Sequence, residues 1–164
     1  MSARKYAVIL VFGLPLALDL LVKTWAQHTL DYSQPVAILP VFNLTLISNP
    51  GIAFGLFPVG SSIGLTIMMM MQAGLCFGLA VYAFSVRSTL LVWPLLLLLS
   101  GAMANLIDRS INGAVTDYLD FYVGSYHWPA FNLADVWITV GIIGLLAIEF
   151  SLNGRNYAEV DIEK

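Results

Sequence analysis

Residues 105–135, NLIDRSINGAVTDYLDFYVGSYHWPAFNLAD, decide how this chain folds. They hold Arg109, one of the chain's seven basic residues, and Asp108, Asp117, Asp120 and Asp135, four of its ten acids. Long apolar runs flank the segment on both sides. It therefore belongs where two membrane helices reach the surface, and the chemistry is expected there.

The composition agrees. Of 164 residues, 59% are hydrophobic and 10% charged, against about 25% charged in an average soluble domain. The chain reads as a mainly α membrane protein forming one integral membrane domain, residues 1–164. Transmembrane helices are expected at about 6–26, 63–86, 89–107 and 134–152. Extracytoplasmic segments 28–62 and 110–133 would carry a small β-sheet and a surface loop or helix near the active site. The net charge of −3 and the scattered basic residues provide no stripe for nucleic acid. The single cysteine, Cys76, lies in an apolar run and reads as a small buried hydrophobe, which leaves no disulfide framework or cysteine-rich metal site.

Upstream, Arg4 and Lys5 precede an apolar run that Asp19 and Lys23 interrupt. A cleavable signal peptide would not carry two ionisable groups in its apolar segment, so a retained first helix is expected. The i, i+4 spacing puts both on one face, acid first, in the favourable order for an ion pair. Each such charge costs roughly 2.5 to 3.5 kcal/mol at mid-bilayer and less near the boundary. Two readings stand level: a structural pair docking this helix on its neighbours, or the edge of a catalytic pocket.

Residues 28–62 contain no spanning run, being broken by Asp31, Pro35, Pro40, Asn49, Pro50, Gly51, Pro58 and Gly60. Within them VFNLTLIS alternates, with Phe42, Leu44, Leu46 and Ser48 on one side and Asn43, Thr45, Ile47 and Asn49 on the other. That is the period of a half-buried strand, ended by an Asn49-Pro50-Gly51 turn on the membrane surface. Turn chemistry alone would explain Asn49. Ser61 or Ser62 can cap the second span, whose strongly polar side chain is Gln72 and whose Met68–Met71 run reads as packing or lipid contact.

The third span ends informatively. Asn105, Asp108, Arg109 and Asn112 recur at i, i+3, i+4 and i+7, one face if the helix continues that far. Gly101, Ala102 and Ala104 let a neighbouring helix approach closely. The aromatic residues Tyr118, Phe121, Tyr122, Tyr126, Trp128 and Phe131 favour the water–lipid boundary. Asp135 falls in the first turn of the fourth span, where the helix dipole favours a carboxylate. Arg4, Lys5, Arg87, Arg155 and Lys164 all fall on one side. Both termini are thus expected in the cytoplasm and both polar segments outside.

Asp117 and Asp135 lie near two helix ends that share a small patch of surface. Two adjacent carboxylates cannot both ionise cheaply, so one holds a proton while the other accepts one from water, as aspartyl peptide hydrolysis requires. Asp120 competes with Asp117. If VTDYLDF is extended, Asp117 faces with Val115 and Leu119 while Asp120 points away, and Asp117 is favoured; if it is helical, the two share a face. A zinc protease would want two histidines four apart, but His28 and His127 are far apart. A serine enzyme would have only Lys23 as base. A small ion-coupled transporter using Asp19, Lys23 and Asp135 as a relay is the alternative, although no internal repeat is visible. An assembly subunit whose polar patch binds partner helices is a third reading.

The motifs resemble those of lipoprotein signal peptidase, or signal peptidase II, the bacterial membrane aspartyl protease family. The resemblance covers residues 19–149. Asp19 and Lys23 match its first-helix acid and lysine, and Asn49, Gly51 and Phe54 in NPGIAF its surface motif. GAMANLIDR matches its third-helix ending, and VTD and FNLAD its two catalytic aspartates, Asp117 and Asp135. Leu20, Ala104 and Thr116 depart from the usual residues without touching a catalytic group. The resemblance implies cleavage of diacylglyceryl-modified prolipoproteins just before the lipidated cysteine, by an enzyme working as a monomer in membrane lipid at the outer face of the bacterial inner membrane, with no metal or cofactor. It further implies that Asn49, Gly51, Asn105, Arg109 and Asn132 bind or orient the substrate or the carboxylates, and that Asp19, Lys23 and Asp108 hold the pocket together.

Overall fold

The computed structural model describes residue 6, residues 8–51 and residues 62–162, with side chains through residue 151. Phe54, Ser61, and the charged residues at both ends of the chain lie outside what is described at side-chain level. Among the described residues, four helices are long and apolar enough to cross a membrane. A π-helical stretch, Val8–Gly13, leads into α1, Leu14–Thr29. Pro15 has no N–H for the carbonyl of the preceding turn and crowds it, which suits a widened entry. Then come β1 (Val36–Leu39), β2 (Phe42–Asn49), α2 (Ser62–Ser85), α3 (Thr89–Asn112), β3 (Val115–Val123), β4 (Tyr126–His127) and α4 (Leu133–Ile162).

Helix α3 is the hub. Most of its apolar window is buried, whereas the other three spans expose most of theirs. Side chains such as Leu21, Met71, Phe77 and Ile143 point outward, as lipid-facing positions should. The α3–α4 contact is made close by small residues. A Cβ on Gly101 would run into the carbonyl oxygen of Ala134 and lie 2.9 Å from Ile138 Cγ1. Lower down, a Cβ on Gly141 would sit 2.8 Å from the Pro94 carbonyl oxygen. The expected close approach at Gly101 thus occurs, and its partner is the first turn of α4.

Two helix ends differ from expectation. Helix α3 runs to Asn112, beyond the expected end near residue 107, and closes at Gly113 with φ of 73° and an N–H bond to the Arg109 carbonyl. Its last turn is held by side chains of its polar face, the exposed Asn112 donating through Nδ2 to the buried Asp108 Oδ1 at 2.7 Å. Helix α4 runs to Ile162 and not to about residue 152; its apolar span ends at Ser151, and the remaining turns need no hydrocarbon around them.

The four strands form one antiparallel sheet in the order β1-β2-β3-β4. The second polar segment is extended at VTDYLDF and joins the first. Asn43 pairs with Asp120 and Leu44 with Leu119, then Ile47 with Asp117 and Asn49 with Val115. Between them Thr45 and Leu46 oppose Tyr118, a bulge that bends the strand. In β2 the polar Asn43 and Thr45 are buried while Phe42, Leu44 and Leu46 are half-exposed. Buried Asn43 is satisfied within the sheet, donating to Asp120 on β3 at 2.9 Å.

Candidate active site

Helix α4 begins in a cage of side chains. The orphan N–H groups of a first helical turn need outside acceptors, and here three elements supply them. Leu133 N–H donates to Tyr118 Oη at 3.1 Å, Ala134 N–H to Asp19 Oδ1 at 2.9 Å, and Asp135 N–H to Asn132 Oδ1 at 3.0 Å. Asp135 Oδ2 in turn accepts the Asn132 N–H at 3.1 Å. Asn132 and Asp135 thus form a reciprocal capping box. The N-x-x-D spacing in FNLAD carries that signature, so this feature could have been read from the sequence.

The same Asn132 side chain reaches Asp117. Its Nδ2 donates to Asp117 Oδ1 at 2.7 Å, while Asn49 Nδ2 donates to Asp117 Oδ2 at 3.0 Å. Asp117 is buried, Asn132 completely so, and Asp135 partly open. Burial pushes the Asp117 carboxyl up to about 6 from its ordinary 3.8; the bonds from Asn49 and Asn132 pull it down, and the charge of Asp135 pushes it up again. The charge of Asp135 thus acts on Asp117 through space, and one side-chain amide, that of Asn132, bonds both the Asp117 carboxylate and the backbone N–H of Asp135.

Asn49 does two things. Its Oδ1 accepts the Gly51 N–H at 3.0 Å, the turn chemistry expected of it, and its Nδ2 holds Asp117. Gly51, at φ of 65°, comes so close to α2 and α3 that a Cβ would meet Met68 Sδ at 2.7 Å and Arg109 Nη2 at 3.0 Å. Arg109 Nη1 donates to Gln72 Oε1 at 2.7 Å, and Gln72 Nε2 to the Ala102 carbonyl at 3.1 Å. Gln72 anchors the guanidinium, a role its isolation in an apolar helix hinted at without revealing the partner.

Asp19, Lys23 and Asp108 lie behind this face. Lys23 Nζ is 2.8 Å from Asp19 Oδ2 and 3.6 Å from Asp108 Oδ2, and it donates to Asn105 Oδ1 at 2.6 Å. Asn105 Nδ2 donates onward to Asp135 Oδ1 at 2.9 Å. The ion pair on the first helix is real and buried, and it both docks α1 and ends one residue short of Asp135. Asp108 Oδ2 accepts the Thr116 N–H at 2.6 Å, and Gln27 Nε2 donates to Thr116 Oγ1 at 2.6 Å, so a threonine here ties α1, α3 and β3 together.

Asp120 belongs elsewhere. It accepts from Asn43 Nδ2 at 2.9 Å and lies 2.9 Å from His127 Nδ1, on the far side of the strand from Asp117. Among the described residues no group of three or more His, Cys, Asp or Glu side chains is arranged to hold a metal ion. Beside Asp135, an open groove of about 310 Å³ runs along Trp128, Phe131, Val136, Thr139 and Val140.

Comparison with known proteins identifies relatives of this chain. The family model described as signal peptidase (SPase) II matches residues 11–151. A lipoprotein signal peptidase of Hydrogenovibrio crunogenus is 42% identical over 146 residues, covering 86% of this chain and 83% of that protein. One from Syntrophus aciditrophicus is 41% identical, covering 84% and 88%. One from Francisella tularensis subsp. novicida is 36% identical, covering 87% and 89%. A solved structure described as a bacterial membrane enzyme superposes with a TM-score of 0.75 at 26% identity, over 86% of this chain and 90% of that one.

Proposed function

The chain belongs to the signal peptidase II family, and on that premise we propose that it is a membrane peptidase removing signal peptides from prolipoproteins, with Asp117 and Asp135 as its catalytic pair. Family membership takes the place of the transporter reading, which has no finding in its favour. The observation that carries the catalytic assignment is Asn132, whose one side chain bonds Asp117 and caps Asp135.

In the proposed reaction the ionised carboxylate takes a proton from water as the water attacks the scissile carbonyl. The protonated partner gives its proton to the carbonyl oxygen; the first carboxyl then passes the water's proton to the departing nitrogen as the C–N bond breaks, and a hydroxyl of the tetrahedral intermediate returns a proton to the partner as the new carboxyl group forms. A carboxyl raised to about 6 suits this exchange near neutrality. Asn105 and Asn132 orient the carboxylates. Arg109, Asn49 and Gly51 face the substrate backbone, and Asp19, Lys23 and Asp108 hold the arrangement together.

The substrate carries diacylglycerol on a cysteine and is cut just before that residue. An apolar groove beside Asp135 supports this, because acyl chains can stay in hydrocarbon while the scissile peptide meets water. The positive-inside rule supports cytoplasmic termini and a site at the outer face of the bacterial inner membrane, since Arg87 lies in the turn between α2 and α3, at the far end of α3 from the sheet. The chain works as a single-domain monomer in lipid.

Purified protein should cleave a diacylglyceryl-modified prolipoprotein, should leave the unlipidated precursor intact, and should lose activity as Asp117→Asn by about a thousand-fold or more. Cleavage retained by the folded variant would remove Asp117 from the mechanism. Equal cleavage of both precursors would remove lipid recognition.

A further inference from the structure

Tyr118 follows Asp117 in β3 and is 1% exposed, the largest fully buried side chain among the described residues. Its hydroxyl accepts the Leu133 N–H at 3.1 Å and donates to Asp19 Oδ1 at 3.3 Å. Asp19 Oδ1 also accepts the Ala134 N–H at 2.9 Å. Hydroxyl and carboxylate together take the first two N–H groups of α4, immediately before Asp135. The strand backbone adds to this, since Tyr118 N–H and Leu119 N–H both donate to the Phe131 carbonyl, at 3.0 and 2.8 Å.

We propose that Tyr118 is a positioning residue of this site, its hydroxyl locking β3 to the first turn of α4 and so setting the spacing of Asp117 from Asp135. The direct link, from Asn132 to Asp117, changes strength whenever Asp117 gains or loses its proton. The Tyr118 link does not. Burial pushes this hydroxyl well above its ordinary range, so it stays protonated wherever the dyad titrates. It therefore keeps one geometry through both protonation states of the pair. Tyr118 itself is too deeply buried to touch substrate.

The proposal rests on Asp117 and Asp135 being the catalytic pair, and the test separates the two claims. Tyr118→Phe keeps the ring and deletes both hydroxyl bonds. Its kcat, per folded molecule as scored by a cooperative melt, should fall about 10- to 100-fold with KM for the lipidated precursor unchanged within about twofold. The two limbs of its pH–rate profile should also move toward each other, because carboxylates held less closely split their apparent pKa values less. Asp117→Asn is measured in parallel. Wild-type kcat in Tyr118→Phe, a changed KM alone, or a fall in kcat with both limbs in place would overturn the positioning role while an inactive Asp117→Asn left the dyad standing. An active Asp117→Asn would overturn the dyad and the positioning role with it.

Discussion

Asn132 donates its side-chain amide to Asp117 across 2.7 Å while its carbonyl oxygen accepts the N–H of Asp135 at 3.0 Å, so the group that starts helix α4 also holds the carboxyl on strand β3. One side chain thus couples the start of a helix to the proposed catalytic carboxyl.

Asn132→Ala should therefore cost twice. Loss of an N-cap destabilises by about 1 kcal/mol. Removal of a bond that lowers the Asp117 pKa should shift that carboxyl upward from about 6, moving the alkaline limb of the kcat profile, where the pair loses its held proton, to higher pH. A melt and a pH–rate series on the variant check both; an unmoved limb would argue against the bond to Asp117.

Asp117 is an acid whose folded pKa lies above its unfolded value, so its contribution to stability is present below pH 4 and lost as pH rises through about 6. A shift from 3.8 to about 6 corresponds to on the order of 3 kcal/mol at most. Thermal melts of wild type and Asp117→Asn between pH 4 and 8 should show the variant gaining relative stability across that window. A difference independent of pH would contradict the raised carboxyl.

Lys23 neutralises Asp19 inside the bundle, with both side chains almost wholly buried. Lys23→Met leaves an uncompensated carboxylate and should destabilise by about 3 to 5 kcal/mol. Adding Asp19→Asn, which keeps an oxygen for the Ala134 N–H, should restore much of the stability. Activity should stay low in the double variant, because Asn105 has still lost its donor and no longer orients Asp135 firmly. Recovery of both together would make the pair purely structural.

Gly101 and Gly78 form a matched test of helix contact. A methyl at Gly101 would strike the carbonyl oxygen of Ala134, while at Gly78 nothing lies within 4 Å. Gly101→Ala should destabilise by about 1 to 3 kcal/mol and depress kcat, because the displaced turn carries Asp135. Gly78→Ala should be neutral or stabilise by up to about 1 kcal/mol. Melting temperatures and kcat for the two variants decide it.

Local sequence pattern specifies the four spans, the polar end of the third, a small sheet at the surface and most of the polar residues that meet there. Each of these is written in local pattern: hydrophobic runs, a two-residue alternation, an i, i+3, i+4, i+7 face, and short motifs. Packing, by contrast, pairs residues 115–123 with residues 42–49 in one sheet, which separates Asp117 from Asp120 by turning them to opposite sides. It alone decided that Asp19 caps a helix 115 positions away, that Gln72 anchors Arg109, and that Tyr118 closes the cage. The reason is physical. A buried polar atom must find a partner, but periodicity records only which face a side chain occupies. Which donor meets which acceptor is settled when helices approach closely enough to exclude water, here at Gly101, and that distance belongs to the packed molecule.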